Sequence, residues 1–153
     1  MGEKNTGGAI GTFRTMAVQD LKSYTYMCAS TENLPQKIKL LRCELGVGGG
    51  IKYDRPCVQK TPDHDRRVVA GVYDIEQLET LLHSNRLHIK LIKAALDSLC
   101  DMDRRLLVDF YVTRIHYDTL SLTLSMDRSS IYRKVKVALD RYILSYYGVG
   151  KSD

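Results

Sequence analysis

Between residues 65 and 99 an apolar side chain returns at every seventh position, at Val68, Ile75, Leu82, Ile89 and Leu96, and Leu78, Ile92 and Leu99 follow three residues after Ile75, Ile89 and Leu96. That recurrence suits an α-helix, whose turn of about 3.6 residues brings such positions back to one face. Two of the complementary positions are not apolar. Gly71 costs about 1 kcal/mol relative to alanine and marks a bend or a late helix start. Asn85 would specify register in a coiled coil. Val72, Leu81 and Leu91 widen the stripe beyond a two-stranded seam, which favours packing back on an earlier helix as an antiparallel hairpin, with dimerisation as an addition.

An earlier partner is available. From Met16 onward Leu21, Tyr24 and Cys28 share a helical face, and after Asn33 and Pro35 the residues Leu34, Ile38, Leu41 and Leu45 share another. Pro35 fits the first turn of a second helix better than the middle of one long helix, because proline lacks the N–H an interior position needs. Residues 46–64 combine glycine and proline without periodicity and read as a loop. The Gly-rich run there lacks a preceding strand and a following Gly-Lys-Ser or Gly-Lys-Thr, and GVGKS at 148–152 has no helix after it, so neither reads as a phosphate loop. Residues 1–14 are Gly-rich and polar and are expected to be disordered. The organisation expected is therefore a disordered 1–14, a helical hairpin or oligomerisation arm at 15–99, a separate helical domain at 100–148, and a tail at 149–153. No stretch alternates with a period of two, so the fold class expected is all-α.

With 153 residues, 44% of them hydrophobic, the chain suffices for one ordinary domain or a small domain with a helical extension. The net charge of +5 suits a polyanionic partner and suits a solvated basic surface equally well. Cysteines at 28, 43, 57 and 100 form no C-x-x-C pair and the four histidines add no metal-ligand spacing, so no metal and no cofactor is expected. Asp63, His64 and Asp65 cluster just before a helix, where acidic residues serve as caps, and no second ligand set or nucleophile accompanies them; an enzyme is not expected. Without a signal peptide or an apolar run of about 18 residues, the expected location is a cytoplasm, with no membrane partner.

The last third carries the most chemistry. Asp101 and Asp103 offer caps ahead of Arg104, and Leu106, Leu107, Phe110 and Tyr111 form a compact apolar face. In HYDTLSLTLSMDRSSIYRKVKV, at 116–137, Leu120 and Leu124 lie on one helical face, Met126 sits at a turn, and Ile131, Val135 and Ala138 or Leu139 continue the stripe. Asp127 stands at the N-cap of the second helix. Arg128, Ser129, Tyr132, Arg133 and Lys136 are left outward, a polar, basic face whose first candidate partner is duplex DNA.

The pattern R-L-L-x-x-x-Y at 105–111, with Leu120, Ser121 and S-M-D-R-S-S-I-Y-R-K at 125–134, resembles region 4 of sigma-70-type factors, the helix-turn-helix that reads the promoter −35 element. The wider layout looks like the ArpU and RinA type of phage regulators, which activate late phage genes in Gram-positive hosts. Arg114 and Ser125 stand where that family usually has glycine, and Asp127 replaces its usual serine or threonine cap.

The resemblance implies a sequence-specific DNA-binding transcriptional regulator acting in a bacterial host cell. Double-stranded DNA is the expected partner, together with host RNA polymerase and a second copy in a homodimer. A recognition helix presents its first two turns to base edges, so Arg128, Ser129, Tyr132 and Arg133 are the expected readers, with Lys134, Lys136 and Thr119 on phosphates. Tyr132 serves equally as a base contact or as packing at the groove edge. Tyr111, Leu120, Leu124, Ile131 and Val135 are assigned to the core, and Arg141 to the solvated surface. Two alternatives stand beside this: a DNA-packaging oligomer like small phage terminase subunits, and a helical adaptor that binds no DNA.

Overall fold

A computed structural model describes residues 6–46 and 62–149. Among the described residues the chain is all-α, without a strand. Five helices follow one another: α1 (Thr6–Glu44), α2 (Pro62–Asp97), α3 (Asp101–Leu107), α4 (Tyr117–Leu124) and α5 (Arg128–Tyr147). None is long and apolar enough to cross a membrane. The described residues form two compact units, one from those within 27–87 and the other from those before and after. The division between these units runs across α1 and α2.

Three expectations about α1 and α2 are corrected. Residues 6–14 are helical, not disordered. The Gly-rich segment is short of intrinsic helix propensity but gains tertiary contacts: the Phe13 ring lies 5.0 Å from that of Tyr147, and Arg14 is ion-paired with Asp140. Pro35 lies inside α1 and starts no new helix. Proline forfeits one backbone bond, yet Leu34 and Ile38 on either side of it are buried, and the Ser30 and Thr31 hydroxyls bond back to the Met27 and Cys28 carbonyls, an arrangement that accommodates bending. The loop expected at 46–64 is shorter, since α2 starts at Pro62, the favoured place for proline in a helix; residues 47–61 lie outside the described segments.

Within the unit 27–87 the two helices run antiparallel, as Asn85 pairs with Ser30 while Leu45 lies over Gly71. The Asn85 side-chain amide donates to the Ser30 hydroxyl at 2.8 Å, so its polar group is satisfied within the chain. Gly71 marks neither a bend nor a helix start: a Cβ there would stand 2.5 Å from a Leu45 methyl, and glycine makes room for that side chain. The buried apolar residues are Leu34, Ile38 and Ile75. Val72, Leu81 and Leu91 do not widen the buried stripe, being 37%, 47% and 46% exposed.

The second unit is organised on α5. Its buried residues Ile131, Val135, Ala138, Leu139, Tyr142 and Ile143 recur at helical spacing on one face, and α3 and α4 both pack against it. Ala17 and Leu21 of α1 and Ile92, Ala95 and Leu96 of α2 complete the core of this unit. The Tyr147 hydroxyl donates to the Asp20 carboxylate at 3.0 Å, a third tie between α1 and α5.

Two sequence assignments on this unit change. Asp103 caps nothing. It is buried, and its carboxylate accepts from the Arg141 guanidinium at 2.6 Å, so Arg141, exposed at the surface, is also the ion-pair partner of a buried carboxylate. The N-cap of α3 is Cys100, which supplies no side-chain bond, while Asp101 pairs with Arg104 in the first turn. After α3 the chain widens into one π turn at Val108–Val112, where the Thr113 N–H reaches the Val108 carbonyl at 2.8 Å.

Candidate nucleic-acid interface

Helices α4 and α5 are joined by a three-residue turn, Ser125 to Asp127, whose geometry fixes how α5 leaves the unit. Ser125 closes α4 in the left-handed conformation, with φ 50°. The Met126 N–H then reaches back to the Ser121 carbonyl at 3.1 Å, and the Ser121 hydroxyl donates to the Met126 carbonyl at 2.5 Å. Asp127 caps α5, its carboxylate accepting from the Ser129 N–H at 3.1 Å and from the Ser129 hydroxyl. These bonds, that of the hydroxyl first, hold the Asp127 carboxyl below its usual value of 3.8. Met126 is half-buried and leads into this cap.

Beneath the turn lies a small core of Leu106, Leu120, Ile131 and Val135, ringed by half-buried Phe110, Tyr111, Ile115, Tyr117, Leu124 and Met126. The residues assigned to the core from sequence are therefore all in or against it. Arg114, just past the π turn, is the other non-glycine residue with positive φ among the described residues, at 61°. Its guanidinium lies over the Tyr26 ring at 5.6 Å and makes a long contact of 3.5 Å to the Lys22 carbonyl. A residue at a costly backbone angle is thus anchored by its own side chain on α1. Arg114 and Ser125 are the two positions where the resembled family has glycine, the residue that adopts this conformation most easily.

Arg128, Ser129, Tyr132 and Arg133 are exposed, and with Tyr117 and Asp127 they line one open groove of about 550 Å³. Four of the seven residues proposed from sequence are thereby brought together. Lys136 is exposed one turn further along the same side of α5, because residues 129, 132, 133 and 136 share a helical face. Lys134 is exposed but sits on the opposite flank, roughly 100° of rotation beyond Arg133, so it does not join the groove. Thr119 is exposed in the first turn of α4, outside the groove lining.

The charges in the groove are not equivalent. The Arg128 guanidinium is held 3.2 Å from the Asp118 carboxylate on α4, which also lies 3.0 Å from the His116 ring nitrogen. Both partners of the Arg128 pair are more than half exposed, so the pair orients Arg128 more than it stabilises the fold, at about 0–1 kcal/mol. Arg133 has no carboxylate partner among the described residues.

One groove residue, Tyr117, and one partner of a groove residue, Asp118, have no signal in the sequence. Asp118 was invisible as a partner of Arg128 because the contact crosses the turn. Tyr117, at the start of α4, has its ring centre 4.3 Å from that of Phe110 and 5.9 Å from that of Tyr132, both pairs tilted, so an aromatic chain runs from the core edge to the groove. Burial, then the neighbouring Tyr132, pushes the Tyr117 hydroxyl above the usual tyrosine value, keeping it a neutral donor in the physiological range. Among the described residues no group of three or more histidine, cysteine, aspartate or glutamate side chains is placed to hold a metal. Comparison with protein-family models, with curated proteins and with solved structures found no match.

Proposed function

We propose that the chain is a sequence-specific, duplex-DNA-binding regulator of transcription, of the phage late-gene activator type, whose reading element is the first two turns of α5. One observation carries this: an Asp127-capped helix projects Arg128, Ser129, Tyr132 and Arg133 into one exposed groove while its other face is buried in the unit. Such a helix meets the requirement for major-groove entry, in which polar side chains near the helix start reach base edges. The left-handed Arg114 and Ser125 support the resemblance to sigma region 4, since they stand at its glycine positions. Arg133 reads guanine in this scheme, Arg128 is aimed by Asp118, and Lys136 lies against a phosphate. Contact with RNA polymerase and pairing of two copies belong to the same proposal.

The test is enrichment of binding duplexes from a random-sequence pool by the full chain, followed by methylation interference at guanine N7. Interference at one or two guanines of a common sequence supports major-groove reading. A pool that yields no common sequence refutes it.

A further inference from the structure

Tyr132 is 57% exposed in the middle of a basic face. Its ring is not left to swing. It rests 5.9 Å from Tyr117, which is itself packed at 4.3 Å on Phe110, and Phe110 lies against the core of Leu106, Leu120, Ile131 and Val135. An exposed ring backed by an anchored ring is preorganised for contact. Arg128 and Arg133 line the same groove and suit a polyanion on both sides of it. On the major-groove floor of a duplex the one apolar group offered to such a ring is the C5 methyl of thymine; phosphates, sugar oxygens and the other base edges present polar atoms.

We infer that Tyr132, backed by Tyr117, reads the C5 methyl of a thymine placed beside the bases contacted by Arg128 and Arg133. The inference rests on the proposed duplex-DNA binding and adds to it the base and the chemical group that Tyr132 reads, which no charge argument supplies. Tyr117 acts as a positioning residue: it fixes the Tyr132 ring and need not touch the base. The ring face supplies the contact and the hydroxyl is dispensable, so Tyr132→Phe retains it. A 5-methylcytosine at the same place offers the same methyl group and restores that contact.

The probe is a duplex enriched from a random pool by the full chain, remade with each thymine replaced singly by deoxyuridine, which removes the methyl and nothing else. Wild type should lose about fourfold in affinity at one or two positions, the worth of one buried methyl group, and be indifferent elsewhere. In Tyr132→Ala that positional loss should vanish, in Tyr132→Phe and Arg133→Ala it should persist, and in Tyr117→Leu it should shrink. Circular dichroism of each variant checks that the helices are intact. A flat uracil scan in wild type, or a scan unchanged by Tyr132→Ala, overturns the methyl contact while leaving duplex binding in place. A Tyr132→Ala loss confined to single-stranded oligonucleotides also overturns it, by assigning the ring to base stacking. Failure of the pool to enrich any sequence removes the DNA-binding proposal itself, and the methyl contact with it.

Discussion

Replacing Ser125 with glycine should stabilise the unit that carries α4 and α5. Serine there holds φ 50°, a left-handed angle at which the Cβ crowds the following carbonyl at a cost of about 1–2 kcal/mol. Glycine removes that cost. It also gives the unfolded chain more freedom, which takes back about 0.4–1 kcal/mol. The bonds that shape the turn come from the Ser121 hydroxyl and the Met126 N–H, and both survive the change. The net expectation is a gain of about 0.5–1 kcal/mol. Arg114→Gly relieves the same strain at φ 61° but gives up the stacking on Tyr26 and the contact to Lys22, so it should gain nothing or lose stability. Amide hydrogen exchange at Leu120 and Ile131, whose N–H groups bond the His116 and Asp127 carbonyls across the starts of α4 and α5, reads this unit by itself. Slower exchange in Ser125→Gly and unchanged or faster exchange in Arg114→Gly is expected. Equal gains in both variants would mean that the Arg114 side chain anchors nothing, and faster exchange in Ser125→Gly would refute the left-handed turn.

Arg141→Ala strands the buried Asp103 carboxylate and should cost about 1–2 kcal/mol in urea unfolding, less than a fully buried pair because Arg141 is 55% exposed; an unchanged midpoint would mean that the pair contributes nothing to stability. The Tyr142 hydroxyl is buried without a hydrogen-bond partner among the described residues, so Tyr142→Phe should leave thermal stability unchanged or raise it by up to about 2 kcal/mol, and a clear loss would reveal a bond to that hydroxyl. The folded pKa of Asp127 lies below its unfolded value, so its cap contributes above about pH 3.8 and is lost as the pH falls through the folded value; the stability difference between wild type and Asp127→Asn should shrink at acid pH, and one constant from pH 7 to pH 2 would contradict the charged cap.

The parts of this fold that sequence makes legible are those held by local chemistry. Asp127 at the start of α5 and the stripe of Ile131, Val135, Ala138 and Leu139 are fixed by capping and helical period, and both stand where those rules put them. Long-range contacts overrule local rules elsewhere. Pro35 is carried inside α1 because the flanking Leu34 and Ile38 are buried, and residues 6–14 become helical where Phe13 and Arg14 meet α5. Charge pairs across helices, Arg141 with Asp103 and Arg128 with Asp118, have no signature in the spacing of a single helix. The groove follows the same division. Arg128, Ser129, Tyr132 and Arg133 were found from the face they share, while Lys134 was included for its charge although helical rotation carries it to the other flank. Tyr117 carries no such signal because its role depends on Phe110 and Tyr132, which lie in the elements before and after its own.

The central claim is that the start of α5 reads base edges in duplex DNA, and fluorescence anisotropy with two duplexes, one enriched by the chain and one scrambled, tests it most directly. Arg133→Ala should weaken binding to the enriched duplex by about 1–3 kcal/mol and to the scrambled duplex by much less. Equal losses on the two duplexes, or wild-type affinity that does not distinguish them, would contradict the claim.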